Sequence, residues 1–136
     1  HNAHGLDALG HSLSRWHHKP ETMIFTCLKD KDVAAMVEKA ASLVPGRIIV
    51  PELKDNPRAV PAHELAALFG ERAESCPSVA SAWGVVKDEK EWVLVCGSLF
   101  LLSESYIHMN WSVYPMADEL ESERFERAMA RFLASG

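Results

Sequence analysis

Short, continuously apolar runs alternate with helix-patterned stretches along most of this chain, and that alternation restricts its fold more than any other feature. Thr22 to Leu28 reads TMIFTCL, Arg47 to Val50 reads RIIV and Trp92 to Gly97 reads WVLVCG. Each is too short for a helix and reads as a buried strand. Ala73 to Cys76 is expected as a further, shorter strand. Between these runs lie apolar residues at the three-to-four spacing of a helical face. Leu6, Leu9, Leu13 and Trp16 form one such set, ended by Pro20, and Val33, Met36, Val37, Ala40 and Leu43 form another, ended by Pro45-Gly46. AHELAALFG, ending at Gly70, and SVASAWGVV, opened by Pro77-Ser78, supply two more helices. SLFLLSES, after Gly97, supplies the last of the core.

Strands separated by helices predict an α/β fold: a Rossmann-like, mostly parallel sheet with helices on both faces, because parallel neighbours need crossovers and helices usually provide them. Trp83 and Trp92 are expected in its core. Ligands in such sheets sit beyond the carboxyl ends of the strands. Three polar loops leave those ends: KDKD (Lys29 to Asp32), KDNPRA (Lys54 to Ala59) and CGS (Cys96 to Ser98).

Charge and cysteine usage exclude several classes. A formal net charge of -5 leaves no basic stripe for sequence-independent binding of nucleic acid. The 3 cysteines, Cys27, Cys76 and Cys96, are odd in number and widely spaced, which fits neither a disulfide framework nor a zinc site and suits free thiols in the cytoplasm. No apolar run reaches the roughly 18 residues that span a bilayer, so no membrane contact is expected. The opening HNAHGLDALG has no initiator Met and reads like the middle of a loop, as a fragment would.

Among the loop residues, Asp30 and Asp32 suit capping of the helix that follows, since carboxylates accept from unpaired backbone N–H groups there. The guanidinium fork of Arg58 matches a carboxylate ligand, though a surface Arg after proline is common. Ser98 serves as an N-cap or, with the N–H groups of a helix start, as an anion site. His1 and His4 have helical spacing, but nothing nearby completes a metal site, and none is expected.

Four segments, in order, resemble the C-terminal domain of the folylpolyglutamate synthase and dihydrofolate synthase family, relatives of the Mur ligases. HNAHG at His1 to Gly5 is similar to the end of the family's DGAHNP motif and KDKD to its DKD turn. Pro57 to Ala59 is similar to its proline-arginine loop, and VCGSLFLLSE, Val95 to Glu104, to its GSLYLVGE motif. The chain departs from that pattern in having Ala3 where proline is usual and in lacking the strand and Asp-Gly-Ala expected ahead of His1.

The resemblance implies a Mur-ligase C-terminal fold and a chemistry. ATP phosphorylates the terminal carboxylate of a folate or dihydropteroate, and the amino group of L-glutamate attacks the acyl phosphate to give an amide. It implies catalytic roles for His1 and Ser98, substrate contacts from Asn2, Arg58 and Gly97, and nucleotide contacts or turn formation by Asp30, Lys31 and Asp32. ATP and Mg would be held mainly by an N-terminal P-loop domain, the expected partner, so the isolated fragment is expected to be inactive. Two other readings stay open. DNPR also occurs in Mur ligases acting on peptidoglycan precursors, and a non-catalytic binding module of the same fold is possible. The resemblance covers residues 1–105. Residues 106–136 are expected to form an extension with an amphipathic helix over 118–135, carrying Phe125, Met129, Phe132 and Leu133 on one face.

Overall fold

Local signals decide where the helices start in the computed structural model, which describes residues 1–108. The elements run α1 (Ala3–Leu13), β1 (Thr22–Phe25), α2 (Val33–Ala41), β2 (Ile48–Pro51), α3 (Ala62–Phe69), β3 (Ala73–Cys76), α4 (Val79–Val86), β4 (Val93–Cys96) and α5 (Leu99–His108). Asn2 caps α1 by accepting from the Gly5 N–H at 2.7 Å. Asp32 caps α2 through the Ala35 N–H at 3.1 Å, and Ser78 caps α4 through the Ser81 N–H at 3.1 Å. Pro61, ahead of α3, offers no side-chain acceptor, and the carboxylate of Glu52 takes the Ala62 N–H at 2.7 Å instead. At the far end of α2, the Arg72 guanidinium donates to the carbonyls of Ala41, Val44 and Gly46.

All four strands are parallel, in the order β3-β2-β1-β4. Alternation along each strand divides the core in two. Met23, Phe25, Ile48, Val50, Leu94 and Cys96 pack beneath α1, α2 and α3, while Ile24 and Ile49 pack with Val79 and Val86 of α4 and Leu101 of α5. The central strands are buried on both faces, as expected for parallel strands, and each such side chain contributes roughly 1.5–3 kcal/mol. The chain thus steps from β1 to β3 with its helices on one face and returns through α4 on the other to place β4 beside β1. Among the described residues no helix is long and apolar enough to cross a membrane.

Three details differ from the sequence expectation. Trp16 lies past the end of α1 and is 39% exposed rather than buried on its stripe. Trp92, expected in the core, is 58% exposed and meets Trp16 edge to face at 5.6 Å, because both residues sit where the chain enters the sheet. α5 continues through Tyr106 to His108, past the position where the sequence resemblance ends. The helix expected over 118–135 lies outside the described residues.

Candidate functional site

The turn after β1 and the loop after β2 are stitched into one ledge at the carboxyl edge of the sheet. Leu28 and Ala59 form an antiparallel bridge. Around it the Val60 N–H donates to the Cys27 carbonyl at 2.9 Å and the Lys29 N–H to the Arg58 carbonyl at 2.7 Å. Side chains add to these contacts. Lys29 Nζ donates to the Pro57 carbonyl at 3.2 Å, and Arg58 Nη2 donates to Asp30 Oδ2 at 3.0 Å. Lys31 lies 3.8 Å from the same carboxylate.

The DNPR sequence shapes its own half of the ledge. Asp55 takes a left-handed backbone, φ 62°, which short polar side chains tolerate, and Asn56 Oδ1 accepts from the Arg58 N–H at 3.2 Å across the proline. Desolvation opposes ionisation of Asp30, but the hydrogen bond and charge of Arg58 outweigh it and hold the carboxyl below its ordinary value. Asp32 instead caps α2, so the two acids of KDKD have different partners.

Gly97 brings the end of β4 against the end of β1. Its φ of 106° suits glycine, and a Cβ there would collide with the Thr26 carbonyl and the Phe25 ring. Ser98 follows, 3% exposed, and its Oγ accepts from the Phe100 N–H at 3.2 Å. That makes Ser98 the cap of α5. A hydroxyl that accepts still has its own proton to donate.

His1 and Asn2 reach the same edge from a different direction. α1 ends beside the amino ends of the strands, where Trp16 meets Trp92, so it begins at their carboxyl ends. Two thiols at those ends agree. Burial pushes Cys27 up to about 11 and Cys96 up to about 12, and in both the α-amino group of His1 acts in opposition. His1 is exposed, while the Asn2 side-chain oxygen is engaged by Gly5. The structure therefore brings Asp30, Lys31, Arg58, Gly97, Ser98, His1 and Asn2 to one edge, with direct contact between Arg58 and Asp30.

Sequence reasoning passed over two neighbours. Thr26, 2% exposed, directly follows β1 beside Gly97 with its hydroxyl unpartnered. A hydroxyl inside an apolar strand was the available signal. Lys29, Val33, Val60, Pro61, Glu64 and Leu68 line an open groove of about 370 Å³ beside the ledge. Among the described residues no group of three or more His, Cys, Asp or Glu side chains could hold a metal ion.

No protein-family model matches the chain, and no curated protein matches it. Solved structures do. E. coli FolC in complex with ADP, without folate substrate, superposes with a TM-score of 0.71 at 25% identity, over 81% of this chain and 27% of that one. The chain has the fold of a folylpolyglutamate synthase/dihydrofolate synthase domain. E. coli FolC with DHPP and ADP gives the same fold at 24% identity and a TM-score of 0.68, again over 81% and 27% of the two chains. The bifunctional folylpolyglutamate synthase/dihydrofolate synthase of Yersinia pestis, complexed with AMPPNP and Mn, matches at 23% identity with a TM-score of 0.71, over 82% and 27%. The chain thus spans about a quarter of the length of these synthases, matching 27% of each. Four parallel strands under helices on both faces are the part that it shares with them.

Proposed function

We propose that this chain is the C-terminal domain of an ATP-dependent ligase that joins L-glutamate to the carboxylate of a folate or dihydropteroate through an acyl phosphate. The observation that carries this reading is the convergence, on one carboxyl edge of a folylpolyglutamate synthase-type fold, of the DNPR loop, the KDKD turn and Gly97-Ser98. Nucleotide and dihydropteroate-type ligands named for the E. coli neighbour support the substrate class.

Catalysis of this kind rests on positioning and on stabilising developing negative charge. Arg58 is suited to the glutamate carboxylate, because its guanidinium is exposed and, among the described residues, held at one nitrogen by Asp30. Ser98 donates its free hydroxyl proton at the start of α5, where backbone N–H groups and the helix dipole favour an anion. His1, exposed at the same edge, meets the incoming amine or the acyl phosphate, and Asn2 keeps its amide N–H groups for substrate while its oxygen caps α1. Lys31, with Asp30 and Asp32 shaping its turn, faces the nucleotide side. ATP supplies the phosphoryl group, and it and Mg are held mainly by a separate P-loop domain joined to this one.

The test is incorporation of labelled glutamate by this domain joined to its P-loop domain, assayed with dihydropteroate and with tetrahydrofolate, each with ATP. Glutamate-dependent amide formation is expected in the joined protein and none in the 136-residue chain alone. Ligation by the chain alone, or a joined protein that accepts neither pterin, refutes the reading.

A further inference from the structure

Strand order makes a crevice between β1 and β4. β1 hands the chain to α2 on one face of the sheet, while β4, reached through α4 on the other face, hands it to α5. Between the carboxyl ends of these neighbours the connections leave in opposite directions, which is where open α/β sheets bind ligands. Thr26 directly follows β1 there, and Gly97-Ser98 directly follow β4. Gly97 lies against the Thr26 carbonyl with no room for a Cβ, so the two strand ends touch. The Thr26 side chain has a definite direction. Met23, Phe25 and Cys27 belong to the core under α1, α2 and α3, while Ile24 and Leu28 belong to the core of α4 and α5, so by alternation Thr26 points to the second face. Leu101, in the first turn of α5, packs in that same core. Thr26 is 2% exposed, and among the described residues its Oγ1 has no hydrogen-bond partner. A buried hydroxyl left so costs stability. Ser98, also buried, accepts from the Phe100 N–H and keeps its own proton to donate.

We propose that Thr26 is a ligand-binding residue, its hydroxyl donating with that of Ser98 to one carboxylate held at the start of α5. Three kinds of donor converge on that place. Two are the hydroxyls of Thr26 and Ser98, each with a proton unspent among the described residues. The third is the first turn of α5, whose leading N–H groups have no partner within the helix and whose dipole favours negative charge. A set of donors with no carboxylate of its own suits an anion, and a planar carboxylate offers an oxygen to each side of the crevice. The neighbouring ledge adjoins it: Leu28, two residues beyond Thr26, is bridged to Ala59 beside Arg58. Thr26 therefore retains a polar group in an apolar strand for the bound state, at a cost to the free one. Identification of the carboxylate as that of glutamate rests on the ligase reading above, whereas the subsite itself does not.

Backbone amide NMR tests it. The full 136-residue chain, unsubstituted and as Thr26→Val and Thr26→Ser, is titrated with L-glutamate and with acetate while the Leu99 and Phe100 amide signals are followed, with sodium chloride at equal ionic strength as the control. Both carboxylates should shift the two signals saturably in the unsubstituted chain. Thr26→Val should raise the dissociation constants roughly tenfold or more, the loss of one hydrogen bond to a charged group, and Thr26→Ser should recover most of that loss. The urea midpoint of Thr26→Val should be unchanged or higher, since the substitution removes no bond to another protein group. A purely structural hydroxyl would behave the opposite way, lowering the midpoint and leaving affinity as it was. That result overturns the proposal, as do equal affinities in all three forms, shifts that chloride reproduces, or no saturable shift in the unsubstituted chain. Carboxylate binding that depends on Thr26, in a domain whose P-loop-joined form transfers no glutamate, leaves the subsite standing and removes the ligase reading.

Discussion

Arg58 and Asp30 lie 28 residues apart in sequence and are joined by a 3.0 Å hydrogen bond between guanidinium and carboxylate, directly above the backbone bridge that ties their two loops together. Both side chains are well exposed, so the pair holds the guanidinium in place rather than holding the domain together.

Replacement of Arg58 by Lys keeps the charge and loses the fork. On the proposed role of Arg58 at the glutamate carboxylate, the KM for glutamate of the domain joined to its P-loop domain should rise about tenfold or more with a smaller change in kcat, the pattern for loss of uniform binding. The melting temperature of the isolated chain should hardly move. The pH dependence has a definite sign. Asp30 is held below its ordinary 3.8, so whatever the pair contributes is complete above pH 3.8 and is lost as pH falls through the lower folded value. Side-chain NMR of Asp30 in Arg58→Lys should show a weaker downward shift; an unchanged titration would place the cause elsewhere.

Gly97→Ala should be among the most damaging single substitutions. The positive φ disfavours a side chain, and the Cβ meets the Thr26 carbonyl, a backbone atom that cannot rotate away. A loss of about 2–3 kcal/mol is expected, read as a lower midpoint in urea. Gly70→Ala, also at positive φ but with open space around its Cβ, should cost less.

Arg72→Met retains much of the apolar stem but leaves the carbonyls of Ala41, Val44 and Gly46 without their donor. Those groups are partly buried, so roughly 1–3 kcal/mol should be lost. Arg72→Lys should recover only part of it, since one ammonium cannot span the three acceptors in the same fork geometry. Thermal melting of the three proteins gives the order directly.

Cys27 and Cys96 should resist thiol reagents at about pH 8 in the folded chain and react once urea unfolds it, because burial keeps both protonated. Their folded values, about 11 and about 12, lie above the ordinary 9.0. Stability from this source is therefore complete below pH 9.0 and is lost as pH rises through the folded values. Cys76, raised but only partly buried, should label first.

Much of this domain was written locally. Asn2, Asp32, Ser78 and Ser98 each cap a helix through a bond two or three residues along the chain, and the strands declare themselves by short apolar runs, so element order and parallel pairing could be read from the sequence. The candidate positions also followed, since loops after parallel strands share one edge whatever the strand order. What the tertiary structure alone decided depends on that order. Insertion of β4 beside β1 sets Gly97 against Thr26 and exposes Trp92, which as an apolar residue before a strand reads as core. The partners of Arg58, Arg72 and Glu52 belong to the same class. Each reaches across 10 to 31 residues to a group whose position exists only after the strands have been laid side by side, and no local pattern encodes a contact of that kind.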